Sequence, residues 1–311
     1  MSTPPQFLIG VFSQPLSSFA KWKSRGINTL VLSESEGGRV KKADWEAAAL
    51  AADLYFMDYP SDDDAVLQNE ARHTHRLAFM QDDEPDLTRT PNTDRTNPDG
   101  TTKSEILAAR YARCKATAPN LPVFVNFAGT AVTPEYYKGE KHLPYLNAAD
   151  WLAHDWYVKN RNVDRYPVSL IGKAMDRLAL WSNNKPQFVF IECSDQKIAP
   201  TTGRGPTPDE MEEEINLALA KGAKGIIYFP QRPPPGFQYD AMTQDLIDRM
   251  TQVNARLSAP SAPPAQNEPN ITDLQAQLTT LTTRFEAVSK DLEMLKTRKY
   301  RITADAQPVD P

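Results

Sequence analysis

Two carboxylate-bearing stretches of the chain have the residue types that acid–base chemistry needs. Residues 77–86 (LAFMQDDEPD) are an apolar run that ends in four acids around a proline, and residues 188–195 (FVFIECSD) are an apolar run that reaches Glu192. A buried strand that presents a carboxylate at its C-terminal end is how barrel enzymes display a catalytic acid. We therefore take Glu84 and Glu192 as the candidate catalytic residues.

Two carboxyl groups on either side of a bond suit the cleavage of a glycosidic linkage. One carboxyl must be protonated to give a proton to the leaving oxygen, and the other must be ionised to attack the sugar or activate water. The negative charges of Asp82, Asp83 and Asp86 are expected to raise the pKa of Glu84 and so to keep it protonated. A separation of about 5 Å predicts retention of configuration, and a separation of roughly 6.5–9.5 Å predicts inversion.

The elements that position these acids alternate along the chain. Eight strand-like apolar runs alternate with about eight helical segments, and the runs fall at residues 7–13, 27–32, 54–59, 77–84, 121–127, 151–157, 188–192 and 225–229. This pattern predicts an α/β fold, a (β/α)₈ TIM barrel over residues 1–257. The alternative is an open doubly wound sheet, which usually has a Gly-rich loop after its first strand, whereas this chain has Ser13-Gln14-Pro15-Leu16.

Polar and aromatic side chains follow several of the predicted strands. Because the C-terminal ends of barrel strands meet at one face, we expect these side chains to bind a polyhydroxylated substrate. The predicted substrate-binding residues are Asp58, Asp83, Asn126, Asp155, Trp156 and Tyr228. No zinc-ligand spacing or phosphate-binding loop is present in the sequence, so we predict no metal site and no cofactor.

The Glu-Pro after strand four and the Glu at the end of strand seven resemble the (β/α)₈ retaining glycoside hydrolases of clan A. The resemblance covers residues 5–258. It implies that Glu84 is the general acid/base and Glu192 the nucleophile. The residue before the acid/base is usually Asn in that clan, and here it is Asp83.

Each acidic stretch also has a structural interpretation. The residues around Glu84 could form a solvated acidic turn or an oxygen-ligand loop for a divalent metal. Glu192 could be a structural carboxylate paired with a Lys or Arg inside the barrel mouth. Asp155 and Trp156 could be an ordinary surface acid and a core tryptophan.

The chain beyond the predicted barrel has a different composition. Residues 258–270 form a Pro-rich stretch typical of an extended linker. Residues 271–300 contain apolar side chains at alternating spacings of three and four, which predicts a coiled coil; a polar tail, residues 301–311, follows. We expect the coiled coil to form a homo-oligomer, a parallel trimer, and the alternative is that this helix packs back onto the barrel.

Composition excludes several classes of function. The net charge of −5 disfavours binding to nucleic acid or to an anionic membrane, and no apolar run approaches the roughly 18 residues of a membrane span. Cys114 and Cys193 are expected to be reduced thiols. No secretory signal is evident, so we expect a location in the cytoplasm or in a phage virion.

Two functions follow from the sequence. The first is a glycoside hydrolase that acts on a polysaccharide or oligosaccharide through two carboxylates. The second is a non-catalytic glycan-binding or structural virion protein that keeps a hydrolase-like barrel.

Overall fold

Eight parallel strands form a closed barrel in the computed structural model, which describes residues 4–87, 100–133, 143–199 and 201–259. The strands are β1 (Leu8–Gln14), β2 (Thr29–Ser33), β3 (Tyr55–Asp58), β4 (Arg76–Met80), β5 (Val123–Ala128), β6 (Trp151–Asp155), β7 (Gln187–Glu192) and β8 (Gly225–Phe229). Each strand pairs with the next along the chain, and β8 pairs with β1. The prediction of a (β/α)₈ barrel is confirmed.

Helices connect the strands and cover the barrel. Within the described residues they are α1 (Phe19–Ser24), α2 (Lys42–Ala51), α3 (Asp64–Glu70), α4 (Lys103–Thr117), α5 (Gly129–Val132), α6 (Leu143–Asn147), α7 (Val158–Arg161), α8 (Ser169–Ser182), α9 (Pro208–Ala220) and α10 (Gln244–Ser258). None of these helices is long and apolar enough to cross a membrane.

The core has two layers because successive side chains of a strand point to opposite faces. Side chains such as Phe12, Met57 and Phe190 fill the inside of the barrel. Others, such as Ile9 and Ile191, pack outward against the helices. Each fully buried aliphatic or aromatic side chain of this kind contributes roughly 1.5–3 kcal/mol of transfer free energy. The rigid framework that results holds the strand ends in fixed positions.

The start of α9 shows how local sequence fixes an element. The Thr207 hydroxyl accepts a hydrogen bond from the Glu210 backbone N–H at 3.3 Å, and the Glu210 carboxylate accepts one from the Thr207 N–H at 2.8 Å. Pro208 occupies the first helical position, where its missing N–H is no loss. This capping box sets the register of α9 against the barrel.

The chain divides into two units after Ser258, the last residue of α10. The predicted linker, coiled coil and polar tail lie, apart from Ser258 and Ala259, outside the described residues.

Candidate active site

Strand β4 ends four residues before Glu84, earlier than the sequence predicts. The Gln81 N–H donates to the carbonyl of Phe124 at 2.7 Å, and the Glu84 N–H donates to the carbonyl of Asn126 at 3.1 Å. Between these two bonds the chain after β4 advances three residues while β5 advances two. One extra residue on one strand defines a β-bulge, which turns side chains to new directions. Glu84 completes the turn with a φ of +42°, a conformation rare for a glutamate.

The bulge brings three carboxyl groups together around one amide. The Asn126 side-chain Nδ2 donates to Asp83 Oδ1 at 2.9 Å and to Asp155 Oδ2 at 3.2 Å. Asp155 also accepts a hydrogen bond from the Gly129 backbone N–H at 3.2 Å and is hydrogen-bonded to Glu84. We call Asp83, Glu84 and Asp155 the carboxyl cluster. Asp83 is exposed, Glu84 half-buried and Asp155 buried, so the cluster opens to solvent on one side.

Crowding and burial change the proton affinity of the cluster. Burial, followed by the negative charges of Glu84 and Asp83, raises the pKa of Asp155 well above its usual range. Burial and the charge of Asp83 raise the pKa of Glu84, although the hydrogen bond with Asp155 and the charge of Arg161 oppose that rise. Two close carboxyl groups of this kind share a proton and titrate as a unit. The Glu84–Asp155 pair therefore holds a proton at a pH where isolated carboxyl groups have lost theirs.

Two tyrosines border the carboxyl cluster. Burial, with the charges of Asp83 and Asp82, raises the pKa of Tyr59 to about 12, and the Tyr59 hydroxyl is hydrogen-bonded to the backbone of Asp83. Tyr157 is buried beside the cluster, and burial together with the charges of Asp155, Asp83 and Glu84 raises its pKa well above the usual range. Both phenols stay protonated.

The other acids near Glu84 have structural partners. Asp82 is paired with Lys103 and Arg110; burial raises its pKa, but these ion pairs prevail and hold that pKa below its usual range. Asp86 accepts a hydrogen bond from the Ala128 N–H at 3.1 Å. Two of the four acids thus fix the loop, and the other two, Asp83 and Glu84, line the mouth. Among the described residues, no group of three or more His, Cys, Asp or Glu side chains could hold a metal ion.

Glu192 is placed differently from Glu84. Its side chain is fully buried, and its oxygens accept hydrogen bonds from the Lys159 N–H at 2.7 Å, the Asn160 N–H at 2.9 Å and Asn160 Nδ2 at 2.8 Å. The carboxyl group of Glu214 on α9 faces it, and burial raises the pKa of Glu192. The carboxylate is thus enclosed at the end of β7, and its predicted role as nucleophile stays a prediction.

Three of the predicted substrate-binding residues are enclosed and do not open to the mouth. Asp58 is fully buried against α2, where it accepts a hydrogen bond from the Ser33 N–H at 3.1 Å and lies 3.8 Å from Lys42. Trp156 and Tyr228 are fully buried in the outer layer of the core, and the Tyr228 hydroxyl donates to Asn254 at 2.9 Å. The structure brings Asp83, Asn126 and Asp155 together at the mouth. It instead encloses Asp58, Trp156 and Tyr228 between strands and helices.

An aromatic floor extends from the carboxyl cluster across the mouth. The ring centroids of Tyr157 and Phe229 lie 5.2 Å apart, those of Phe229 and Phe12 5.6 Å, and those of Phe12 and Phe190 5.5 Å. Phe229 is half-buried, so part of this floor remains accessible. Sequence reasoning missed Tyr157 and Phe229, although each stands at or just after the end of a predicted strand.

Side chains from the loops after β2 and β8 form a wall beside this aromatic floor. Glu34 accepts hydrogen bonds from the Ser13 hydroxyl at 2.9 Å and the Glu36 N–H at 2.8 Å, and its carboxylate is also hydrogen-bonded to the Tyr239 side chain. Phe237, an exposed aromatic residue, packs edge-on against Tyr239 with 4.7 Å between the ring centroids. The sequence shows Glu34 at a strand end, but nothing in it indicates that Phe237 and Tyr239 belong to the same wall.

Solved structures with a similar barrel include glycosidases. The β-galactosidase of the psychrophilic Marinomonas ef1 matches with a TM-score of 0.54 and 12% identity over 80% of this chain and 59% of its own. The endo-β-1,4-mannanase of Thermotoga petrophila matches with a TM-score of 0.53 and 11% identity, over 83% and 78% of the two chains. The endo-1,4-β-mannanase of Eisenia fetida matches with a TM-score of 0.52 and 11% identity, over 82% and 93%. The chain has a glycoside hydrolase-like fold.

The likeness is one of structure alone. No protein-family model matches the chain, and no curated protein matches it in sequence. The chain spans 59% of the length of the Marinomonas β-galactosidase. At 11–12% sequence identity the comparison shows the fold alone. The chemistry has to be argued from the residues of the site.

Proposed function

We propose that this barrel hydrolyses glycosidic bonds and that the Glu84–Asp155 pair supplies the proton to the leaving oxygen. The observation that supports this most is a hydrogen-bonded carboxyl pair with raised pKa values at the open C-terminal face of the barrel. A carboxyl group kept protonated near neutral pH is the general acid that glycoside hydrolysis needs. The glycosidase-like fold gives such an acid a suitable setting.

Glu84 and Asp155 have different parts in this proposal. Glu84 is half-buried and can reach a bound substrate, so it donates the proton. Asp155 is buried and held by Asn126 and Gly129, so it keeps its place and orients the Glu84 carboxyl group through their hydrogen bond, while burial and the charge of Asp83 raise the pKa of Glu84. The aromatic floor offers the apolar C–H face of a sugar ring a surface to pack on.

The second carboxylate of the reaction is best supplied by Asp83. It is exposed, and hydrogen bonds from the Asn126 side chain and the Glu84 backbone orient it without closing it off. We propose that Asp83 activates the attacking water. Glu192, the sequence-based candidate, is enclosed by three hydrogen-bond donors and has no exposed surface.

A glycan-binding protein without turnover is the second candidate. The enclosed position of Glu192 favours it, because the end of β7 then presents no open carboxylate across from Glu84. The predicted coiled coil also favours it, since an oligomer of binding domains gains avidity without catalysis.

Release of reducing ends from a panel of polysaccharides and oligosaccharides separates the two functions. Hydrolysis by the full chain, its loss in Asp83→Asn, and binding of the same glycan by that variant support the hydrolase. Binding of a glycan that is never cleaved by the unaltered protein supports the second candidate and contradicts the first.

A further inference from the structure

Glu192, Asn160 and Glu214 form a cluster of buried polar side chains that the proposed reaction does not use. We call these three residues the anchor; each is at most 1% exposed. Asn160 donates to Glu192 from its side chain at 2.8 Å and from its backbone at 2.9 Å. The carboxyl group of Glu214 faces Glu192 and makes no hydrogen bond to any other described residue.

The anchor joins two loops at the mouth of the barrel. Asn160 Nδ2 also donates to the Ser194 carbonyl at 2.9 Å, and Asn160 Oδ1 accepts from the Gln196 N–H at 2.7 Å. Asn160 belongs to α7, after β6, whereas Ser194 and Gln196 follow β7. Glu192 thus accepts from two successive backbone N–H groups of α7, and Asn160 closes the connection to the next loop.

Helix α7 depends on tertiary contacts: the anchor binds two of its backbone N–H groups, and its Lys159 and Arg161 carbonyls accept hydrogen bonds from the Arg204 N–H at 3.0 Å and the Thr202 hydroxyl at 3.1 Å. It has four residues, and a helix of that length is not stable in water without tertiary contacts. Two residues at its ends affect the carboxyl cluster. Tyr157, just before its first turn, borders the cluster, and Arg161, its last residue, lowers the pKa of Glu84. Any movement of α7 therefore changes the surroundings of Glu84.

The two buried carboxyl groups of the anchor, Glu192 and Glu214, can lie side by side only if the pair retains one proton. Burial and the charge of Glu192 raise the pKa of Glu214 well above its usual range, so Glu214 is the member of the pair that keeps the proton more strongly. The other charged or titratable groups nearby are Lys159, Arg204 and Cys193, and Lys159 is itself paired with Glu210 at 3.3 Å. The backbone N–H groups of α7, not a cation, are thus the direct partners of Glu192.

We propose that Glu192 is a positioning residue: with Asn160 and Glu214 it fixes α7 so that Tyr157 stays beside the carboxyl cluster and the charge of Arg161 stays near Glu84. The proposal rests on the proposed function for its catalytic readout. Its structural part, the hold on α7, can be measured without any substrate.

Four variants of the full chain test the anchor. Asn160→Ala removes the side-chain amide, and Glu192→Gln places an amide group where three donors point. Glu214→Gln keeps a neutral side chain that can still donate to Glu192. Asn254→Ala is the matched control, because Asn254 is a fully buried asparagine on α10 whose side chain hydrogen-bonds to Tyr228 of β8 and to the Arg25 carbonyl.

Hydrogen–deuterium exchange gives the structural readout. We expect the amides of Lys159 and Asn160 to exchange at least about tenfold faster in Glu192→Gln and Asn160→Ala, as for loss of a hydrogen bond to a charged group. Glu214→Gln should stay within about twofold of the unaltered protein, because its amide replaces the neutral carboxyl as donor. Unchanged exchange in Glu192→Gln would overturn the hold on α7, whether or not the protein hydrolyses glycans.

The pH dependence of turnover gives the catalytic readout. In Asn160→Ala, α7 is held less firmly, so the positive charge of Arg161 favours the ionised form of Glu84 less; the pKa of Glu84 then rises and the alkaline limb of the kcat profile moves to higher pH. Asn254→Ala should lose stability with no such movement. An unmoved limb in Asn160→Ala, or covalent labelling of Glu192 by an activated 2-deoxy-2-fluoroglycoside of the hydrolysed sugar, would overturn the positioning role.

Discussion

The acids near the mouth differ mainly in what their immediate neighbours do to them. Asp82 lies between Lys103 and Arg110 and is held ionised, whereas Asp155 lies beside two other carboxyl groups and is pushed toward its protonated form. Neighbours of opposite charge lower the pKa of a carboxyl group, and burial or like charge raises it. Four acids within five residues therefore have separate tasks, and only Asp83 and Glu84 remain at the open face.

The buried carboxyl of Asp155 should affect stability as pH changes. Its folded pKa lies above the unfolded value, so the folded state binds more protons in that interval and stability falls as pH rises through it. Asp155→Asn cannot titrate, and its free energy of unfolding should therefore decrease less between pH 4 and pH 8. Each unit by which the folded pKa of Asp155 exceeds its unfolded pKa corresponds to about 1.4 kcal/mol of this pH-dependent stability.

Urea unfolding at a series of pH values checks this prediction. Asp176→Asn on α8 is the control, because its exposed ion pair with Lys221 is of a kind that contributes only about 0–1 kcal/mol. A pH dependence of Asp155→Asn that parallels that of the unaltered protein would show that Asp155 ionises normally.

Phe237 is the residue whose contribution to substrate binding can be separated from chemistry. It is exposed beside Tyr239 and Glu34, on the wall away from the carboxyl cluster. Phe237→Ala should raise KM for a cleaved glycan roughly fivefold with kcat unchanged, since an aromatic contact of about 1 kcal/mol is lost. Leu180→Ala is the control, because Leu180 is an exposed apolar residue on α8. Equal KM values for both variants would show that Phe237 does not contact the substrate.

Residue-level placement could be predicted from the sequence only in part. Apolar runs indicate where strands lie, but successive side chains point to opposite faces of the sheet. An error of one residue in the predicted end of a strand therefore assigns a side chain to the mouth when it belongs to the outer layer. The sequence predicts Tyr228 and Trp156 as substrate-binding residues at the mouth, but both lie in the outer layer, whereas their neighbours Phe229 and Tyr157 form the floor. Asp83, Asn126 and Asp155 converge because Asp83 follows the end of β4, Asn126 lies near the end of β5 and Asp155 ends β6.

At the scale of elements, the strand count followed from the sequence and the bulge after β4 did not. Eight apolar runs are visible because buried parallel strands need continuous apolar side chains. The extra residue between Gln81 and Glu84 depends on pairing with β5, some 40 positions away, which no local pattern encodes. The same holds for the enclosure of Glu192, which depends on the backbone of α7.

Helix α9 offers a stability prediction at this scale. Thr207→Ala removes the side-chain cap of the helix that bears Glu214, and we expect a loss of about 1 kcal/mol in the free energy of unfolding. Thr251→Ala in α10 is the control, because that hydroxyl only donates back to the Ile247 carbonyl within its own helix. Thermal unfolding measures both variants. If each loses an equal and negligible free energy of unfolding, the capping box contributes nothing to stability.

At the scale of the whole molecule, the barrel accounts for residues up to Ser258 and the sequence beyond it predicts an oligomer. The apolar seam of residues 271–295 is expected to join copies of the chain, as a trimer. Leu281→Asp in the full chain should dissociate the oligomer, because it places a charge in the seam, whereas Thr282→Asp on the flanking position should not. Sedimentation equilibrium measures the mass of each, and a monomeric unaltered chain would contradict the prediction.

The most direct test of the account is turnover by Glu84→Gln. A general acid typically contributes 10²–10⁴-fold to rate, so kcat on a cleaved glycan should fall by about that factor while binding of the glycan persists. Glu213→Gln, an exposed glutamate on α9, should keep the rate of the unaltered protein. Full activity in Glu84→Gln would contradict the assignment of Glu84 as the proton donor, and with it the central proposal.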